Sequence, residues 1–324
     1  MNEKKSIITN NLPKYIPVFL MIILMVILTV SNRNFLSGQS MFNLLQQASA
    51  LGIVALGAMI VLLTSGIDFT AGFGLSLAGV TAGYAYLESG NNGIVLILVS
   101  LLIGAAVGAV NGLIIVKLKL NPFITTLAMM SVCKGISMIV SEGRQVTITT
   151  SYLLKLGSGR IFTFIPISFL VFMIAVILMY IIMNKTKLGI YTYAIGGNED
   201  AVDYSGINKS WYKILVYTVA GICYGLAAII TCSQVTVITS NISGDYLLDG
   251  IAAAVVGGTS LMGGKGTVFG VVIGAFVITL ITTILNFLQV PYLLREVIKG
   301  LIIICILIFD AAINKLVERM KVIA

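Results

Sequence analysis

The chain has 324 residues, of which 58% are hydrophobic and 10% are charged, where a soluble domain carries about 25% charged residues. With a mean hydropathy of +1.07, most of its apolar surface must face lipid or other membrane helices. The 20 Lys and Arg against 12 Asp and Glu do not point to nucleic acid, because no basic, aromatic-interleaved surface domain accompanies them. The absence of histidine removes His-based metal sites, catalytic triads and proton relays together.

Residues 1–14 read as a short polar, basic tail. The apolar stretch from Ile16 to Val30 is followed by Ser31-Asn32-Arg33 and by no small-residue cleavage site, so it reads as a retained first membrane helix. Further spans are expected at about 41–63, 70–88, 94–116, 123–140, 164–183, 213–234, 246–262, 267–288 and 292–312, each near the length that crosses the hydrocarbon core, with 246–262 short and broken by glycine. The fold class is therefore all-α: a polytopic helical membrane protein of about ten transmembrane helices, with glycine-broken segments at the inner face. One transmembrane domain runs over 15–312, with a polar loop over 184–213 inside it, and a tail follows over 313–324. Cys133, Cys223, Cys232 and Cys305 all lie in apolar runs without metal spacing and read as small core residues.

With the N-terminus inside, the inner side collects Lys4, Lys5, Lys14, Lys117, Lys119, Lys185, Lys187, Lys209, Lys213, Lys265, Lys315, Arg319 and Lys321. The outer side keeps Arg33, Arg144, Lys155 and Arg160. This bias predicts that both termini and the 184–213 loop are cytoplasmic. Small-residue stripes at Gly104/Gly108/Gly112, Gly79/Gly83, Gly221/Gly225 and Gly270/Gly274 predict close helix packing.

Two glycine-rich breaks, 63–72 and 256–267, each end one span and start the next at the inner face. Thr64-Ser65 recurs as Thr259-Ser260 in the same expected orientation, which points to an internal parallel repeat, with chance as the rival for so short a match. The second break does not fit a phosphate loop, because Gly266 follows Lys265 and no glycine stands at position 259. Gly66, Asp68, Gly257, Gly258, Gly263 and Gly264 are the hinge or gate candidates. Charge near the membrane is sparse: Asp68 at the inner end of a span, Asp245 and Asp249 at the outer start of another, and Arg295, Glu296 and Lys299 in the outer half of the last. Glu296 and Lys299, three apart, can pair on one face. The lack of a clearly mid-membrane carboxylate weighs against a proton- or sodium-coupled carrier. Polar residues in or beside spans, Asn111, Asn121, Thr125, Thr126, Asn286 and Gln289, are candidates to line a passage; the plainer reading is interhelical hydrogen bonding.

The polar stretch 184–213 reads NKTKLGIYTYAIGGNEDAVDYSGINKSWYK. Gly196-Gly197 breaks the chain and Asn198 is placed to cap a helix. Glu199 and Asp200 suit its first turn, and Gly206 suits its stop. A helix of about two turns is marginal alone and needs a surface to lie against; otherwise the stretch is a solvated loop.

The chain resembles the membrane-spanning permease subunit of bacterial ABC sugar importers, the ribose permease family. The resemblance rests on FNLLQQ (42–47), LTSGIDFTAG (63–72), NG with NPFITTLAMM and KGISM (111–138), TKLGIYTYAIGGNEDAVDYSGIN (186–208) and YLLDGIAAAVVGGTSLMGGKGT (246–267). It implies a multi-pass protein of the bacterial cytoplasmic (inner) membrane that is not itself an enzyme, paired with a second permease subunit. It also implies a cytoplasmic ABC ATPase that binds the ATP and an extracytoplasmic sugar-binding protein, so no cofactor or metal is expected on this chain. Carried over residue by residue, Gly196, Gly197, Asn198, Glu199, Ala201, Ser205, Gly206 and Ile207 form the segment that docks on the ATPase. Alternating access is the implied mechanism, with motion passing through Asn198 to Ile207. The chain departs from the family at 233–249, where Gly244-Asp245-Tyr246-Leu247-Leu248-Asp249 replaces a Gly-Tyr-Glu-Leu-like start. The solute therefore stays open among ribose-like sugars, other pentoses or hexoses, a furanose-like signal molecule and a nucleoside. An ion-coupled secondary carrier is the alternative of another class, and the lack of His and paired carboxylates disfavours a membrane enzyme.

Overall fold

The computed structural model describes residues 2–31, 33–161, 164–242, 246–291, 293–305 and 308. The expected tail over 313–324, the end of the last expected span and Asp245 lie outside the described residues. The main helices are α1 (Asn2–Ser31), α2 (Gly38–Leu62), α3 (Ala71–Glu88), α4 (Gly93–Lys117), α5 (Pro122–Ser141), α6 (Ser151–Ser158) and α7 (Ile167–Lys185). They continue as α8 (Lys187–Gly197), α9 (Glu199–Tyr204), α10 (Lys209–Val235), α11 (Tyr246–Val256) and α12 (Val268–Phe287); α13 runs over 293–305. The fold is a polytopic all-α membrane protein. Among the described residues six helices, α2, α4, α5, α7, α10 and α12, are long and apolar enough to cross a membrane. The expected span at 246–262 holds only the 11 residues of α11. At 1.5 Å per residue this helix reaches roughly half the hydrocarbon thickness before the second glycine break ends it.

The core is organised around α2. From Ala48 to Leu62 every residue of this helix is buried, as expected of a helix that is apolar on all sides. Helices α7, α10, α11 and α12 pack around it. The glycine stripes find specific partners. A Cβ at Gly104 would overlap the Gly221 carbonyl oxygen, one at Gly108 the Tyr217 carbonyl, and one at Gly225 the Ser100 carbonyl, so α4 and α10 meet backbone to backbone. The Ser100 hydroxyl donates to the Gly225 carbonyl at 2.9 Å across this seam. Gly270 and Gly274 meet the backbone of Gly257 and Ala253 in the same way and bring α12 onto α11.

The end of the bundle away from the glycine breaks is capped by folded loops. Strand β1 (Val146–Thr147) pairs antiparallel with β4 (Val237–Ile238), Val146 opposite Ile238, and β2 (Arg160–Ile161) pairs with β3 (Ile165–Pro166). The Gln46 amide donates to the Gly157 carbonyl at 2.6 Å. Cys133, Cys223 and Cys232 are buried, but Cys305 is exposed. The reading of Cys305 as a core residue is corrected, because α13 turns that side chain outward.

Candidate functional site

The stretch 184–213 is not an open loop. Thr186 adopts an extended conformation, φ −117° and ψ 159°, and α8 starts directly after it. Gly196 and Gly197 do not break the chain; they are the last residues of α8, and the break falls at Asn198, with φ −161° and ψ 100°. The reason for the glycine is contact: a Cβ at Gly196 would overlap the Leu63 carbonyl oxygen and crowd the Gly264 nitrogen at 2.5 Å. Sequence reasoning missed α8. The available signal was Leu188, Thr192 and Ile195, whose spacing places them on one helical face; Thr192 and Ile195 are buried, and Leu188 packs against the core.

The short helix α9 has the expected caps. The Asn198 side chain accepts from the Ala201 amide at 3.0 Å, and Gly206 takes φ +73°. Glu199 pairs with Lys209 at 3.1 Å and Lys213 at 2.7 Å, and Lys209 also pairs with Asp203. Burial would raise the Glu199 carboxyl, but the Lys213 and Lys209 ammoniums outweigh it and hold the group below its ordinary value. Val202 is the buried anchor of α9. Ala201, Ser205 and Gly206 are exposed, Ile207 is half-buried, and Tyr204 is 92% exposed. The result is a knob clamped to the start of α10, with its outer surface open.

The two glycine breaks, far apart in sequence, touch each other and the tip of α8. The Gly264 amide donates to the Leu63 carbonyl at 3.0 Å. The Ser65 hydroxyl donates to the Met262 carbonyl at 2.8 Å, and the Tyr193 hydroxyl to the Gly266 carbonyl at 2.9 Å. Of the hinge candidates, Gly263 (φ +83°) sits against Ser65, and Gly264 (φ +69°) against Gly197. Gly258 takes φ +89° in open space, Gly257 meets α12, and Gly66 lies under the Tyr217 hydroxyl. Asp68 is buried: its Oδ1 accepts from the Thr70 amide at 2.9 Å and from the Thr70 hydroxyl. The Tyr217 and Tyr224 hydroxyls are buried near it, and Tyr224 interacts with the Asp68 carboxyl.

The passage candidates do not converge. The Asn111 amide donates to Thr70 Oγ1 at 3.1 Å beside Asp68, and the Thr126 hydroxyl donates to the Ile67 carbonyl at 3.0 Å. Asn121 caps α5, and the Thr125 hydroxyl donates to the Asn121 carbonyl at 3.0 Å. Asn286 accepts from Arg295 near the other end of the bundle, where Gln289 occupies a turn with φ +53°. A cavity of about 330 Å³ opens elsewhere, among α2, α10, α11, α12 and α13; Gln47, Thr231, Asp249, Thr279, Thr282 and Lys299 contribute to its wall. Lys299 joins Asp249 at 3.0 Å as well as Glu296 at 2.9 Å, so the pairing expected within one helix extends across to α11.

A bundle of membrane helices with an exposed, charged knob beside two glycine breaks is compatible with a transport subunit, and the comparisons show that class. The chain belongs to the family described as the permease component of branched-chain amino acid transport systems, which matches residues 40–307. It is 37% identical over 288 residues to the ribose import permease protein of Haemophilus influenzae, covering 87% of this chain and 88% of that protein. It is 34% identical over 301 residues to the galactose/methyl galactoside import permease protein of Salmonella typhimurium, with coverage of 86% and 88%. It is 30% identical over 292 residues to the autoinducer 2 import system permease protein of Yersinia enterocolitica, with coverage of 90% and 81%. No solved structure matches the chain. The chain is a multi-pass membrane permease subunit of an ABC importer that works with other transporter subunits.

Proposed function

We propose that the chain forms the translocation pathway for a small sugar, a ribose-like monosaccharide, in the bacterial cytoplasmic membrane, with both termini inside. It works as a pair of permease subunits. A separate cytoplasmic ABC ATPase binds the ATP and grips Gly196 to Ile207, and an extracytoplasmic binding protein delivers the sugar to the opposite face. The observation that carries this reading is the junction at the tip of α8. Its exposed continuation, α9, offers a docking knob, while its buried face is hydrogen-bonded through Tyr193 to the second glycine break and lies against the first at Leu63. A displacement of the knob therefore reaches both breaks without an intervening flexible link. The α2 and α12 helices that flank those breaks also flank the cavity, so the same displacement is carried toward the solute.

The test is ATP-driven sugar uptake in vesicles holding the permease, its ATPase and its binding protein. Glu199→Arg places a third cation beside Lys209 and Lys213 and reverses the charge of the knob. Uptake is expected to fall to background while the permease remains inserted; uptake at the wild-type rate rejects the docking assignment. One observation favours a second reading, an ion-coupled carrier: among the described residues no ion pair includes Asp68, although it is buried. Sugar accumulation by the purified subunit in liposomes under a sodium or proton gradient, abolished by Asp68→Asn, would establish that reading; no accumulation would dismiss it.

A further inference from the structure

The second glycine break ends in a turn that presents apolar side chains to solvent. The Gly263 amide donates to the Ser260 carbonyl at 3.1 Å, so Leu261 and Met262 are the two central residues of a β-turn. Such positions ordinarily favour Gly, Pro, Asn, Asp or Ser. Here Met262 is 85% exposed and Leu261 is 46% exposed. The turn is held firmly. Within it, the Ser260 amide donates to the Lys265 carbonyl at 2.8 Å, and the Met262 amide to the Ser260 hydroxyl at 3.2 Å. From the first break, the Ser65 hydroxyl reaches the Met262 carbonyl, and the Leu63 carbonyl takes the Gly264 amide. The backbone is thus fixed while the two side chains stand free. Gly264 lies against Gly197, so the turn abuts the junction from which α9 departs. Tyr204, at the end of α9, is the other highly exposed apolar group carried from that junction.

We propose that Leu261 and Met262 are a second contact for the cytoplasmic ATPase, seated in an apolar pocket of that subunit beside the surface that grips α9. The proposal rests on the docking reading above and extends it from one segment to two. The occupant follows from continuity: Gly264 touches Gly197, so a body that covers the start of α9 meets the turn next to it. The exposed residues on the segments that meet there are Ser65, Gly197, Asn198 and Lys265, a polar setting that suits an aqueous interface and not lipid tails. A fluid lipid phase gains nothing from a fixed backbone. A protein pocket does, because an anchor already ordered loses less freedom on binding. Methionine suits such a pocket, being enriched at interfaces and able to fill an irregular space. The contact gives the ATPase a grip on the first break that does not pass through α9, by way of the Ser65 and Leu63 hydrogen bonds.

The experiment times labelling by a membrane-impermeant maleimide in lipid nanodiscs, with the full chain alone and with the chain co-purified with its ATPase. Cys133, Cys223 and Cys232 are buried, so Cys305→Ser supplies a background into which Met262→Cys or Tyr204→Cys is placed. Met262→Cys is expected to label quickly in the chain alone and several-fold more slowly in the complex, with Tyr204→Cys as the reporter of the knob. Leu261→Cys repeats the reading where Met262→Cys does not insert. Leu261→Ser with Met262→Ser is expected to weaken ATPase binding to the nanodisc about tenfold, the effect of withdrawing two apolar side chains from a pocket. Slow labelling of Met262→Cys in the chain alone overturns the proposal, since lipid or a second copy then covers the turn. Protection of Tyr204→Cys without protection of Met262→Cys overturns it while the docking of α9 stands. Protection of neither in a complex that stays assembled overturns both. Unchanged ATPase affinity in the double serine variant also overturns the proposal.

Discussion

The junction at the tip of α8 and the cavity among α2, α10, α11, α12 and α13 are built from different atoms. At the junction the principal partners are backbone groups: Leu63, Met262 and Gly266 offer carbonyls, Gly264 an amide, and Gly196 the absence of a side chain. In the cavity the polar groups belong to side chains on five helices. Backbone contacts across glycines tolerate no change of volume and hold a fixed geometry. Side chains on separate helices can be exchanged one at a time without moving the backbone.

The largest effect that would break this contrast is expected at Gly196. Even Gly196→Ala drives a Cβ into the Leu63 carbonyl, whereas nothing lies within 4 Å of a Cβ at Gly197. ATP-driven uptake is expected to vanish in Gly196→Ala and to fall far less in Gly197→Ala; equal losses would show that the junction has slack. Next is Lys299→Met alone, which leaves Asp249 without its ammonium. It is expected to destabilise the protein by about 3–5 kcal/mol, read as a fall in melting temperature in detergent. The double change with Asp249→Asn should recover much of that loss. Tyr193→Phe removes one hydrogen bond to the Gly266 carbonyl and is expected to lower stability by about 1 kcal/mol, with a partial loss of uptake. The smallest effect is in pH. The folded Glu199 carboxyl is held below its unfolded value, so its ion pairs contribute fully above the unfolded value, near pH 4.5, and fade as pH falls through the lowered folded value. Amide exchange in α9, followed by mass spectrometry at low pH and corrected for intrinsic rates, should show reduced protection there before the seam between α4 and α10 opens.

The parts legible in the sequence were those fixed by neighbours in the chain. The caps of α9 follow from Asn198 and Gly206, and the long spans follow from hydropathy. The glycine stripes announced close packing, but nothing within Gly104-x-x-x-Gly108 names Gly221 as its partner. The passage candidates illustrate the opposite failure. Asn121 and Thr125 are polar residues beside spans, yet their hydrogen bonds are taken by the first turn of α5, a local demand that looks like function in a list of polar residues. The cavity was hidden because Thr231, Asp249 and Lys299 meet only in three dimensions. Its one advance sign was a pair of opposite charges in separate spans, since intramembrane charges usually find each other.

The seam between α4 and α10 has a mechanical corollary. With no side chains between them at Gly104, Gly108, Gly221 and Gly225, the two helices have no compliant layer in which to slip, and they must travel as a single plank. Asn111 and Tyr217 ride on that plank, above the buried Asp68. Any rearrangement of the bundle then carries α4 and α10 together.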